Sequence, residues 1–278
     1  MAQAVTRIKK RIKAIKGSYK ITSAMKLVSS VKLKKWKGKM LAFKEYAQQI
    51  DELSSLVFSY VSPKNEPYFK PNEAQKNLYI ILSSSLGLCG SYNASIFRLA
   101  DSIIKPEDDV ILLGKKAISR YQTSTFNKIY TFKNYYSVQD EKLISEMSDF
   151  LLNAFHQGSY REIHLIYTSY KNSLVFRPVD FLVLPLKQST NADIGYPPIM
   201  EPSPEVLAET LIPLYLKNTI YAKFLESEVC EQAARSNAME NATKNAEELL
   251  EDLHIEYNKA RQSAITQEIT EIVGAANI

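Results

Sequence analysis

Apolar residues recur at helical spacing over both ends of the chain. From Arg7 they fall at Ile8, Ile12, Ile15 and Tyr19, in steps of four, three and four. The pattern slips after Gly17 and resumes at Ile21, Met25 and Val28. It returns at Trp36, Met40, Phe43, Ala47, Ile50 and Val57, with Ser54 in the gap. Steps averaging about 3.5 residues describe a narrow seam for one partner helix rather than the broader stripe of a helix lying on a globule. Near the other end Ala246, Leu250, Leu253, Tyr257, Ala260 and Ala264 repeat the spacing. Ile265, Ile269 and Ile272 continue it one position over, so this seam is expected to rotate near its end. Alanines at half of its positions allow two helices to approach closely.

Between the ends the pattern changes. Residues 61–76 carry three prolines and end the first helix. Short apolar runs then alternate with helical ones. Asn77–Ser83, Val110–Leu113, Lys128–Phe132, Glu162–Ser169 and Leu174–Leu184 read as strands, and Asn93–Ile104, Lys115–Tyr121 and Asp140–His156 as helices. Such alternation predicts a mostly parallel sheet with helices on its faces. Only Tyr170–Ser173 separates the last two strands, which predicts an antiparallel hairpin at one edge. A polar, proline-rich stretch covers 185–204, after which Pro204 and Glu205 suit the first turn of a second long helix. The expected organisation is a helix over 1–60, an α/β domain over 77–184 and a helix over 205–278.

Charge supports the pairing of the two ends. Fourteen Lys or Arg, from Arg7 to Lys44, precede the first acidic residue, Glu45. From Glu205 onward thirteen Asp or Glu stand against six Lys or Arg. Helices of opposite charge laid side by side attract, which predicts a shaft carrying a compact body. The 278 residues suffice for one large domain or two small ones. Cys89 and Cys230 are the only cysteines, so no disulfide framework is implied and a reducing compartment is expected. No apolar run approaches the roughly 20 residues of a membrane helix. The basic, acid-free start has the composition of a mitochondrial transit peptide. Against that, its charges surround the helix, and the helical pattern runs past the usual cleavage zone.

Candidate chemistry is sparse. The turn after the first strand, Leu82-Ser-Ser-Ser-Leu-Gly-Leu-Cys-Gly-Ser-Tyr-Asn93, could hold a phosphate on backbone N–H groups. It matches neither GxxxxGK[ST] nor GxGxxG, so a tight βα turn is the expected reading. His156, His164 and His254 are the only histidines; neither His164 nor His254 has a Cys or carboxylate at metal-ligand spacing, so they read as structural or solvated. Cys89 reads as a small packed residue rather than a reactive thiol. The basic helix could neutralise nucleic-acid phosphates or lie on anionic lipid. Aromatics interleaved for base stacking are missing, because Tyr19, Trp36 and Phe43 fall on the seam. Acidic partners, the chain's own second helix among them, fit these charges better.

Three separated motifs resemble the gamma subunit of F-type ATP synthases over essentially the whole chain. They are Glu256-Tyr-Asn-Lys-Ala-Arg-Gln-Ser-Ala-Ile-Thr-Gln-Glu-Ile-Thr-Glu-Ile-Val273, Ile8-Lys-Lys-Arg-Ile12 with Lys20-Ile-Thr-Ser-Ala-Met-Lys-Leu-Val28, and Gly87-Leu-Cys-Gly90 with Asn93. Gln232-Ala-Ala-Arg235, Ala238-Met239, Ala242 and Asn245 fit as well. The resemblance implies an antiparallel coiled coil of the terminal helices with a Rossmann-like α/β domain at its base. It implies a non-catalytic central shaft, binding no cofactor itself, inside a ring of three alpha and three beta subunits. An epsilon subunit and a membrane rotor ring are further partners it admits, nucleic acid is not one, and the expected place is peripheral, at the cytoplasmic face of a bacterial cell membrane.

Carried over by motif, Met25 and Lys26 would face the beta subunits, and Arg261, Gln262, Thr266 and Glu268 would contact the ring. Ile269, Ile272, Val273 and Ile278 would form an apolar tip, and Gly87, Cys89 and Gly90 a loop at the stalk base. The chain departs from the family before Gly87, where Ser85-Leu86 replace Asp-Arg, and after Gly90, where Ser91 replaces glycine. That departure motivates a second reading, the shaft of an ATP-driven motor without the usual membrane ring. A protein binding nucleic acid or a membrane surface through its basic helix is the alternative of another class.

Overall fold

The computed structural model describes residues 2–62, 66–129, 132, 134, 135, 137, 138, 140–187 and 198–276. A 59-residue helix α1 (Ala2–Tyr60) opens the chain and a 73-residue helix α5 (Pro204–Ala276) closes it. Between them run β1 (Leu78–Leu82), α2 (Tyr92–Ile103), β2 (Asp109–Leu113), α3 (Lys115–Arg120), β3 (Asn127–Ile129), α4 (Glu141–His156), β4 (Ile163–Tyr170) and β5 (Phe176–Leu184). The chain divides into two compact units, Lys32–Ala234 and the pair of segments Met1–Val31 and Arg235–Ile278. Both terminal helices contribute to each unit.

The larger unit is built on a five-stranded sheet in the order β3-β2-β1-β4-β5. The first four strands are parallel and β5 pairs antiparallel with β4, as the hairpin pattern predicts. Central strands covered on both faces must be apolar throughout. Accordingly every residue of β1 (LYIIL) and β2 (DVILL) is buried. β5 is an edge, and Arg177, Pro178 and Asp180 belong there because charge and a missing N–H discourage further pairing.

Alternate side chains feed two cores. On one face Leu78, Ile80, Leu82, Ile111 and Leu165 pack with Ile144, Met147, Leu151 and Phe155 of α4, Trp36 and Val57 of α1, and Ile220 and Phe224 of α5. On the other, Tyr79, Ile81, Val110, Leu112 and Ile166 meet Tyr92, Ile96 and Ala100 of α2, with Cys89, Ala117, Cys230 and Ala234. At α4 the Asp140 carboxylate caps the first turn, accepting from the Leu143 N–H at 3.1 Å. Two strands are shorter than the apolar runs suggest. β3 ends at Ile129, and Phe132 is buried in a turn instead. β5 begins at Phe176, because Asn172 Oδ1 accepts from the Leu174 and Val175 N–H groups and turns the chain there.

In the smaller unit the first half of α1 packs against the end of α5. The numbers of facing residues total 265 for Thr22 with Thr243 and 266 for Lys26 with Glu240 and Ser30 with Ser236, so the helices run antiparallel. Unbroken steps of three and four lead from Ile8 through Ile12, Ile15 and Tyr19 to Thr22, Lys26 and Ser29, all buried or half-buried. The expected slip after Gly17 therefore does not occur. The helix is continuous through that glycine, and a phase change would need an inserted residue or a bulge. Ile21 and Val28 consequently point away from the seam and are 62% and 55% exposed.

The seam on α5 follows Ala246, Leu250, Leu253, Tyr257, Ala260 and Ala264 as expected, but it does not rotate beyond them. Ile265, Ile269 and Ile272 are exposed. The register explains this. Facing numbers that total 266 set Ala2 opposite Ala264, so the later turns of α5 lie past the described part of α1.

Candidate partner-binding surfaces

The smaller unit has a polar seam and an apolar exterior over the same turns. The Thr22 and Thr243 hydroxyls lie 3.0 Å apart, as do those of Ser30 and Ser236. Lys26 Nζ stands 3.5 Å from Glu240 Oε1. Hydrogen bonding from Lys244 and the charge of Lys26 hold the Glu240 carboxyl below its ordinary range. Tyr19 is pushed the other way by its hydrogen bond to Glu247 and that residue's charge. Ile21, Leu27, Val28 and Val31 are displaced to the solvent side, beside an open hollow lined by Tyr19, Lys20, Ser23, Ala24, Lys26, Leu27 and Ser30. Met25 and Lys26 are half-buried, and of the two Lys26 lines the hollow. Apolar residues turned outward over three helical turns form a patch rather than scattered singles.

A second patch lies at the end of α5. Arg261, Gln262, Thr266 and Glu268 are exposed, as are Ile265, Ile269, Ile272 and Val273. Ile278 lies outside the described residues. Glu240, which faces Lys26, precedes Arg261 on the same helix by a distance of about 30 Å, at roughly 1.5 Å per residue. The two sets of predicted contact residues are thus separate stations rather than one site. The four outward apolar residues of α1 could have been found by counting strict heptads from Ile8, which assigns them to outer positions.

In the larger unit the loop from Leu82 to Asn93 is organised by Asn93. Its side-chain amide donates to Ser84 Oγ (2.8 Å) and Cys89 Sγ (3.2 Å), and its carbonyl accepts the Ser84 N–H (3.1 Å). Cys89 is buried against α2, a packed residue as the sequence suggests. Gly90 adopts φ 57 and Leu88 φ 62, a conformation costly for a residue with a side chain. A Cβ at Gly87 would stand 3.2 Å from Lys116 Cε. Leu86 and Leu88 project into solvent on either side of Gly87.

Parallel α/β sheets bind ligands beyond the carboxyl ends of their strands, where strand order reverses. Here that place lies between β1 and β4. It is occupied by the chain's own α5. The Tyr92 hydroxyl lies 2.7 Å from Ser227 Oγ, and Leu82, Tyr135, Phe224, Glu228 and Glu231 close around it. The remaining space is about 10 Å³, room for one water. Burial, foremost, and the nearby carboxylates push the Tyr92 and Tyr135 hydroxyls well above the ordinary tyrosine pKa, so neither is poised for proton transfer. Among the described residues no group of three His, Cys, Asp or Glu is placed to hold a metal ion, and no helix is long and apolar enough to cross a membrane.

A mostly parallel α/β sheet in one unit, and an antiparallel pair formed by the ends of two very long terminal helices in the other, are the features of a stalk-type subunit. The family model described as ATP synthase matches residues 4–278. The chain is 38% identical to the ATP synthase gamma chain of Mycoplasmopsis pulmonis, over 98% of this chain and 99% of that one. It is 34% identical to that of Heliobacterium modesticaldum, over 97% of each. Its fold is similar to a chain of the Euglena gracilis mitochondrial ATP synthase OSCP/F1/c-ring, with a TM-score of 0.69, 19% identity, and 100% of this chain and 95% of that one covered. A Tetrahymena thermophila mitochondrial ATP synthase central stalk/c-ring chain matches with a TM-score of 0.58 and 23% identity, over 80% of this chain and 99% of that one. The chain belongs to the ATP synthase gamma-chain family, whose members are the central-stalk rotor of the F-type complex.

Proposed function

We propose that this chain is a non-catalytic rotor that couples rotation to ATP synthesis or hydrolysis on three alpha and three beta subunits around it. Helices 1–60 and 205–278 supply the shaft and residues 77–184 the base domain. Met25 and Lys26 form one station toward the ring, and Arg261, Gln262, Thr266 and Glu268 a second. Ile269, Ile272 and Val273, with Ile278, make an apolar tip that slips, whereas the polar stations favour particular angles. The loop of Gly87, Cys89 and Gly90 belongs to the base, near the epsilon subunit and the membrane rotor ring. The complex sits peripherally at the cytoplasmic face of a bacterial cell membrane.

The observation that carries this reading is the outward placement of Ile21, Leu27, Val28 and Val31. Burying each such side chain in a partner stabilises an assembly by roughly 1.5–3 kcal/mol. The lysines among them suit a ring lining rich in carboxylates. The test is the double substitution Arg261→Ala with Gln262→Ala in the assembled complex. ATP turnover should fall at least several-fold while the chain still assembles. Unchanged turnover would mean that the angular contacts lie elsewhere.

A second reading, a motor without the membrane ring, is favoured by one feature. Leu86, which with Ser85 stands where the family carries Asp-Arg before Gly87, is exposed. Purifying the complex on a tagged copy and measuring stoichiometry separates the two. Ring subunits in fixed proportion favour the ATP synthase, and six nucleotide-binding chains without them favour the motor.

A further inference from the structure

His164 occupies an unusual position for a strand histidine. Its ring stacks on Tyr79 of β1 at a centroid distance of 4.9 Å. Its Nδ1 lies 3.0 Å from Asp180 Oδ1 on β5, and its Nε2 lies 3.2 Å from Glu162 Oε2, just before β4. A neutral imidazole has one N–H and can donate only once. Carboxylates accept only, so a ring with a carboxylate on both nitrogens satisfies both contacts as the imidazolium alone. The side chain is 12% exposed, which shields these contacts from water and salt.

The place of this triad in the sheet gives it leverage. His164 pairs with Leu182 while Ile163 pairs with Leu184, so the register breaks beside it by one residue. Such a bulge interrupts the ladder. Asp180 faces Ile166, diagonally across from His164, which puts the charged contact next to the interruption. β5 is an edge strand, and among the described residues no further strand pairs with it.

We propose that the His164 imidazolium, bridging Glu162 and Asp180, is a proton-dependent clamp that fastens the edge strand β5 to the sheet. With the proton in place, one cation neutralises two carboxylates across the bulge. When it leaves, one carboxylate loses its donor and the two acids face an uncharged ring, so this end of β5 loosens. The groups facing His164 are Glu162 beside β4, Asp180 on β5 and the Tyr79 ring on β1, with the Asp108 charge reaching Tyr79 from the start of β2. Burial lowers the histidine's pKa, but the hydrogen bonds and charges of Asp180 and Glu162 outweigh it and raise it above the ordinary value. Because the folded-state pKa is the higher one, the clamp is complete below the unfolded-state pKa and is lost as pH rises through the folded one.

Nitrogen-15 NMR of imidazole-labelled full-length chain tests this directly, since only His156 and His254 share the spectrum. His156→Gln and His254→Gln assign the signals. His164 should keep both ring nitrogens protonated to a pH above the ordinary imidazole value. Hydrogen exchange of the β5 amides, corrected for intrinsic rates, should then accelerate by about tenfold across the same titration, and His164→Gln should abolish that pH dependence. A His164 ring that loses its second proton at or below the ordinary imidazole value would overturn the proposal. So would β5 protection that stays flat through the titration of a charged His164, because the charge would then be ornamental to the strand.

Discussion

At the scale of single residues, the backbone fixes a few positions more tightly than any side-chain chemistry in this chain. Gly114, just before α3, has φ +86, and a Cβ there would stand 2.2 Å from the Ser83 carbonyl oxygen. That oxygen belongs to a turn in which Ser83 Oγ donates to the Leu113 carbonyl and accepts the Ala117 N–H, so it has little room to move. Gly114→Ala should therefore cost more than the roughly 1–3 kcal/mol of left-handed strain alone. Gly17 is the control: it lies inside α1, and nothing stands within 4 Å of its Cβ position. Gly17→Ala should stabilise by up to about 1 kcal/mol through helix propensity. Urea unfolding of the two variants should show midpoints displaced in opposite directions. Equal midpoints would mean that the β2–α3 turn relaxes freely.

At the scale of elements, the sequence reveals strands and helices well and phase poorly. β1, β2 and β4 are legible because a buried parallel strand has to be an apolar run, and α4 because its apolar stripe and Asp140 cap coincide. The α1 seam misleads between Ile21 and Val28, because the four-then-three spacing of Ile21, Met25 and Val28 invites an inward reading. Threonine, serine and lysine hold the inner positions instead, matched across the seam by Thr243, Ser236 and Glu240. The plug at the head of the sheet is invisible for another reason: Tyr92 and Ser227 lie 135 residues apart in the chain. The carboxylates around His164 are legible only in part. Glu162 shares its face by alternation, but Asp180 depends on a bulged register. If the outward reading of α1 is right, Ile21→Thr with Val28→Ser should change the stability of the chain alone by less than about 0.5 kcal/mol, as exposed substitutions do. The same pair should lower recovery of alpha and beta subunits with the chain. A large loss of stability without that effect would return these residues to the seam.

For the whole molecule, the question is what the unpaired end of α5 contributes. Helix pairing accounts for the residues up to Ala264 and for none beyond. Ile265, Ile269, Ile272 and Val273 stay exposed, and an isolated helical end of that length gains little from propensity alone. In the proposed rotor its apolar residues would contact the surrounding ring, and contacts of that kind are distributed and weakly directional. Removing residues 265–278 should leave the unfolding midpoint of the chain within experimental error, because no seam position is lost. In the assembled complex it should reduce yield and ATP turnover by degrees, each further turn removed adding a smaller loss than the polar station at Arg261 and Gln262. A truncated chain that unfolds early would show that the end packs back on its own protein, and one that assembles and turns over ATP at the full rate would strip the tip of any part in the rotor.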